Sequence, residues 1–493
     1  MIFRHFFLFF VLWVLLPALA GASPLRDRVQ EHQLDNGLTV LLVERHSSPT
    51  VAAYISFRVG AVDETSQQRG IAHMLEHMLF KGTRTLGTLD YAAEKPLLEQ
   101  IEHLGEQLDA LKRQPDPDLE QLEELTRQLA RLQDAHRELV VKDEFARLYA
   151  EHGGVGYNAF TSKDQTTYLI NLPANKLELW AAIESDRLKN AVFREFYTER
   201  DVVREERRRV VDINPAGKLY ENLLASAFLV HPYRNPIIGW DSDIEQMSLN
   251  DIREFFNSYY AAANMVITLV GSFDSAATLD LIERYFGDLD PGRKVPLVSE
   301  TEPQQRGERR THINFAAQPR MMMAFHKPTL PDADDYAFDI LTRALTEGRS
   351  SRLYQALVVD RQLVTDVGVF RAPGSRYRNL LVISLLPRQG VSFEDLEQGV
   401  EVELERLVTE PLTATEIEQA RNQILTAMLR AMQSNSGLAR MLSTYQVLGD
   451  WTYLVDYEEQ LRQVSSEDIT KVVQDYLHRN NRTVATLSQG EEQ

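Results

Sequence analysis

The feature that most constrains the fold of this chain is that it repeats itself. Ser248-Leu249-Asn250-Asp251-Ile252-Arg253 has a counterpart 217 residues on, Ser465-Ser466-Glu467-Asp468-Ile469-Thr470. The same spacing pairs Tyr259 with Tyr476 and Asn264 with Asn481. In each copy a serine stands where a helix would be capped, and a β-rich run follows, over 265–270 and 483–487. Further upstream, Leu79-Phe80-Lys81-Gly82 resembles Leu345-Thr346-Glu347-Gly348 at a spacing of 266. A fixed spacing of this kind means two copies of one structural unit. The two spacings differ by 49, so the first copy holds about that many additional residues between these anchors.

Those residues have a pattern of their own. Leu97, Ile101, Leu104, Leu108 and Leu111 alternate spacings of four and three, as do Leu122, Leu125, Leu129 and Leu132. Gln114-Pro115-Asp116-Pro117-Asp118 separates the two runs. This predicts an antiparallel helical hairpin inserted over 92–147. It packs on its own lobe or serves as a lid, docking arm or gate. Elsewhere strands cluster with strands (38–43 paired with 51–59, then 168–172), and amphipathic helices cover 177–190 and 415–432. The expectation is an α+β fold of two homologous lobes, each a mainly antiparallel sheet covered by helices. The first lobe spans 25–290, a Pro- and Gly-rich linker spans 291–310, and the second lobe spans 311–490.

Residues 1–20 read as a secretory signal: Arg4 and His5, an apolar run over 6–16, then Ala18-Leu19-Ala20. The alternative reading is a membrane anchor, against which the run is shorter than the ~20 residues a span needs, and no other stretch is long and apolar enough to cross a bilayer. The expectation is secretion across an inner membrane, to the periplasm if the source is bacterial, with no membrane attachment after signal removal. There is no cysteine, so neither a disulfide nor a lipoprotein anchor forms. A formal charge of −19 argues against nucleic acid as a partner.

The chemistry is carried by His73-Met74-Leu75-Glu76-His77. On a helix, residues four apart share a face, so both imidazoles reach one metal ion. Glu76 stands close enough to act on water there. The order H-x-x-E-H is the inverse of the commoner zinc-protease order. Two histidines do not complete a catalytic zinc site, which takes three protein ligands and leaves a position open. Glu199-Arg200-Asp201-Val202-Val203-Arg204-Glu205-Glu206 is the candidate source of the third. Glu199 and Glu206 are two helical turns apart, and Glu205 is the alternative ligand on another face. At the repeat spacings, His73, Glu76 and His77 fall on Asp339, Thr342 and Arg343, and Glu206 falls on Gln423. One metal site, in the first half, is therefore expected.

The segment 70–83, the downstream glutamates and Gly348-Arg349-Ser350-Ser351-Arg352-Leu353-Tyr354 closely resemble the M16 (pitrilysin/insulinase) family of zinc peptidases, of the half-length type of mitochondrial processing peptidase subunits. The resemblance covers nearly the whole chain after the signal. It implies a metalloendopeptidase with one Zn²⁺ per chain, held by His73, His77 and Glu206. Glu76 is then the general base and Glu199 a carboxylate that orients the site. Gly153-Gly154-Val155-Gly156-Tyr157-Asn158-Ala159-Phe160-Thr161-Ser162 resembles the family's edge strand, so Asn158 and Ala159 are expected to pair with a substrate backbone. One departure stands out. The family's Arg and Tyr, which hold the substrate carbonyl from the second lobe, fall on Val358 and Thr365. The resemblance thus implies peptide substrates in an enclosed chamber and a dimer. A heterodimer with an M16-like sister chain supplying the Arg/Tyr pair is favoured over a homodimer. A non-catalytic binding or assembly subunit that keeps its metal site is the alternative.

Overall fold

In this computed structural model the described residues are 25–293, 295 and 297–490. The expected signal at 1–20 lies outside them. Among the described residues no helix is long and apolar enough to cross a membrane.

Two sheets organise the chain. The strands are β1 (Gln30–Gln33), β2 (Thr39–Glu44), β3 (Thr50–Phe57), β4 (Val155–Thr161), β5 (Thr166–Pro173), β6 (Met265–Gly271), β7 (Arg309–Asn314), β8 (Arg320–Lys327), β9 (Val364–Ala372), β10 (Asn379–Pro387) and β11 (Arg482–Ser488). The first sheet runs β1-β2-β6-β3-β5-β4 and the second β7-β11-β8-β10-β9. In each, the last strand of the half inserts between two earlier ones, parallel to one neighbour and antiparallel to the rest. The repeat read in the sequence is thus a repeat of topology, and the fold is two α+β lobes. One expectation is corrected. Strands 38–43 and 51–59 do not pair with each other, because β6 lies between β2 and β3. All seven residues of β6 are buried, as befits a strand covered on both sides.

The helices used below are α1 (Ile71–Met78), α2 (Tyr91–Lys112), α3 (Leu119–Arg137), α4 (Phe196–Arg207), α5 (Pro215–Ala227), α6 (Leu249–Tyr259), α7 (Asp334–Thr346), α8 (Ala414–Gln433), α9 (Asn435–Leu448) and α10 (Ser466–Tyr476). Both serines of the repeat do cap helices. Ser248 on α6 and Ser465 on α10 each form a reciprocal capping box with an aspartate three residues on.

Each sheet buries one face against its own half. The other face is covered by a helix from the opposite half. Leu438, Ala439 and Leu442 of α9 pack on Leu41, Val43, Ala52, Tyr54, Val266 and Val270 of the first sheet. Reciprocally, Leu219, Leu223, Leu224 and Ala227 of α5 pack on Met322, Ala324, Leu380, Val382, Ala485 and Leu487 of the second. These two helices occupy matching places in the repeat. The halves have in effect exchanged equivalent helices, so neither sheet is complete without the other half. The second sheet begins at Arg309, two residues inside the stretch read as linker.

The insertion is the helical hairpin α2–α3. Asp90 caps α2 and Asp118 caps α3 through backbone N–H groups. It docks on α4. Gly105 lies against the Tyr197 ring so closely that a Cβ would fall 2.0 Å from it. The Arg200 guanidinium donates to both oxygens of Asp109 at 2.8 and 2.9 Å.

Candidate metal centre

Helix α1 is aimed by its first turn. Gly70 precedes it at φ 96°, and a Cβ there would meet the Ile238 carbonyl oxygen at 2.5 Å, so only glycine fits. The carboxylate of Glu64 then accepts the Gly70 and Ala72 N–H groups at 2.9 and 3.0 Å. Burial pushes the Glu64 pKa up, opposed by those two bonds, and burial likewise pulls its neighbour Lys163 down.

Along α1 the two histidines face α4. His73 Nε2 lies 3.8 Å and His77 Nε2 3.6 Å from Glu206 Oε2. The three ligand atoms all lie within 4.8 Å of one another, and this is the one such group among the described residues. Burial, then the neighbouring His77, pulls the His73 pKa down to about 3, so its ring is neutral and keeps a lone pair for a metal. Burial opposes charge on His77 too, but Glu199 with Glu206 and Glu76 outweighs it and raises that pKa. Glu205 turns outward to Arg208 at 2.7 Å, away from the centre. Immediately beyond Glu206 the helix loosens into a π turn over Arg208–Asp212, a local widening common beside functional sites.

Glu199 Oε1 is 2.9 Å from His77 Nδ1, so it fixes which ring nitrogen faces inward. Lys81 Nζ stands 2.5 Å from its other oxygen. Burial would raise the Glu199 pKa, but the bonds from His77 and Lys81 hold it at about 2. Glu76 is raised by burial, against a 2.6 Å bond donated by Thr161 Oγ1 to its Oε2. Glu76, His77, Glu199 and Asn158 line one cleft of about 570 Å³. Asn158 and Ala159 lie on β4, the outer strand of its sheet, which pairs on one side with β5 and is bulged between Val155 and Asn158. Asn158 is exposed and Ala159 buried. Val358 packs against the second core, Thr365 donates to the Leu386 carbonyl, and Arg361 is held by Glu403 at 3.0 Å.

Three participants escaped the sequence reading: Glu64, Lys81 and Thr161. Thr161 falls within the Gly-rich segment already singled out, yet no spacing there points to Glu76. Lys81 follows α1 directly, and only the fold turns it onto Glu199.

The family profile described as "Insulinase (Peptidase family M16)" matches residues 39–114 and 139–241, and "Peptidase M16 inactive domain" matches 246–424. The zinc protease PqqE of Helicobacter pylori is 26% identical, with 96% of each chain covered. A probable mitochondrial-processing peptidase subunit beta of Schizosaccharomyces pombe is 23% identical over 92% of this chain and 90% of that one. Among solved structures, a protease from Helicobacter pylori superposes with a TM-score of 0.78 at 24% identity, over 93% of this chain and 99% of that one. The periplasmic protease PqqL of Escherichia coli gives 0.69 at 16% identity over 94% of this chain but 48% of that one. This chain belongs to the M16 peptidase family.

Proposed function

We propose that this chain is a zinc-dependent endopeptidase with one metal site, formed by His73, His77 and Glu206. The observation that carries the reading is the convergence of two imidazole Nε2 atoms and one carboxylate oxygen beside the Glu76 carboxylate. Two nitrogens and one oxygen, with His73 held neutral, suit zinc and leave room for other ligands. Bound there, zinc supplies Lewis acidity to a peptide carbonyl and lowers the pKa of water toward neutrality.

The protein's own groups do the rest. Glu76, one oxygen held by Thr161, takes the proton of the attacking water and returns it to the leaving amine. Glu199 and Lys81 keep His77 in register. The free edge of β4 around Asn158 and Ala159 pairs with an extended substrate backbone, which reads conformation more than sequence. The profile named for an inactive domain covers 246–424, and every residue of this site lies before it.

A second reading rests on Val358 and Thr365, which stand where the resemblance expects the Arg and Tyr that hold a substrate carbonyl, and the Thr365 hydroxyl is already engaged by the Leu386 carbonyl. In it the chain works only beside an M16-like sister chain carrying the Arg/Tyr pair. Family relatives include a processing-peptidase beta subunit, which supports a paired arrangement. The test is hydrolysis of a mixed peptide library by the zinc-loaded chain beside Glu76→Gln. Cleavage lost by about a hundredfold or more in the variant, with zinc retained, is expected. Equal cleavage by both proteins overturns the mechanism. Absence of cleavage in either, with zinc bound, favours the half-enzyme.

A further inference from the structure

A cavity larger than the cleft at the metal centre lies elsewhere in the first half. About 670 Å³ in volume, it lies between the inserted hairpin and the first lobe, walled by α2, α3, α6 and the start of α4. That size falls in the range of small-molecule sites, roughly 300–1,000 Å³. Its floor is apolar and aromatic: Ile101, Leu249, Phe193, Phe196 and Phe256. Phe193 and Phe256 meet edge to face at 5.6 Å.

Its charge is opposite to that of the chain. Six basic side chains line it against three acidic ones, in a protein of net charge −19. Four of the six already face carboxylates: Lys95, Arg137, Lys189 and Arg253. Arg84 and Lys142 have no carboxylate within 4.0 Å among the described residues. A second observation is His136, 2% exposed, which lines the same cavity. Its Nε2 is tied at 2.8 Å to Glu94, itself paired with Arg194.

Three of these lining residues, Gln133, His136 and Arg137, belong to the stretch 115–138 that falls between the two segments matched by the family profile. Part of the cavity wall is thus built by hairpin residues that the profile does not match. It shares Lys142, Glu195 and Thr198 with the catalytic cleft, so one wall separates the two.

We infer that this cavity binds an apolar group bearing a carboxylate, its tail on the phenylalanines and its charge at Arg84 and Lys142. Such chemistry belongs both to a fatty acid and to the free C-terminus of an apolar peptide. The test is titration calorimetry on the full zinc-loaded chain carrying Glu76→Gln, so that no peptide is consumed. The probes are decanoate, decanol, and the peptide Ala-Ala-Leu-Phe as free acid and as amide. At least one acid is expected to bind about tenfold tighter than its neutral counterpart, the worth of one charged hydrogen bond. Arg84→Glu should weaken it about tenfold, and Leu98→Trp, which fills the cavity, should abolish it. Neither residue lines the catalytic cleft. Binding of decanoate alone assigns a fatty acid, and binding of the peptide acid alone assigns a C-terminus. No acid binding, equal binding of the neutral probes, or undiminished binding in both variants overturns the inference.

Discussion

The two halves place the same pair of helices under the same kind of sheet and use them differently. In the first half α1 and α4 bring His73, His77 and Glu206 together. In the second, α7 and α8 bring Arg343, Glu416 and Gln423 into one small recess, at the positions matching His77, Glu199 and Glu206. There Glu416 is clasped by Arg352 at 2.7 and 2.9 Å, and Asp339, the counterpart of His73, is taken by Arg371 at 2.7 Å. The charged groups of the second half satisfy one another, whereas those of the first leave lone pairs pointing at a common centre. The scaffold sets the same two helices side by side in each half; the side chains decide whether they gather ligand atoms or brace one another.

The comparison can be broken at several points. The largest effects are expected at the exchanged helices. Leu442 and Leu219 are fully buried against the opposite half's sheet, and each change to Ala should cost about 2–5 kcal/mol in denaturant unfolding. If either substitution is silent, its helix is not part of the other half's core. Next comes the matched pair of glutamates. Glu199→Gln should weaken zinc about 10–100-fold in a chelator competition, because it fixes His77. Glu416→Gln should leave zinc affinity untouched, and a shared loss would mean that the halves are not separable.

Thr161→Val removes the bond to Glu76 and should lower kcat about tenfold with KM unchanged, while Thr161→Ser keeps most of the rate. A KM effect alone would place Thr161 in substrate binding instead. The smallest effect is acid sensitivity in the second half. The Arg352 bond, opposed by burial, holds Glu416 at about 2 against an ordinary 4.5. A depressed carboxylate pKa gives stability that is full above 4.5 and lost as pH falls through 2. The stability gap between the parent and Glu416→Gln should therefore be widest near neutrality and close toward pH 2. A gap that stays constant over that range would remove Arg352 from the account.

Much of this was legible in the chain because it was local. Histidines four apart on one helix, leucines alternating by three and four, and a serine-capped motif recurring after 217 residues need only the sequence. Non-local pairing was not legible. β6 separates β2 and β3 because strands more than two hundred residues apart find each other. The helix exchange is hidden for the same reason, since an apolar face on α5 or α9 does not say which sheet it covers. At the site, Glu206 followed from family resemblance, while Glu64, Lys81 and Thr161 act through contacts that no spacing encodes.

The most direct test of the asymmetry between the halves is zinc stoichiometry by mass under native conditions, on the parent chain and on Glu206→Gln and Gln423→Glu. One zinc in the parent, none in Glu206→Gln and still one in Gln423→Glu is the predicted pattern. Two zincs in the parent, or one retained by Glu206→Gln, would contradict a single centre built by His73, His77 and Glu206.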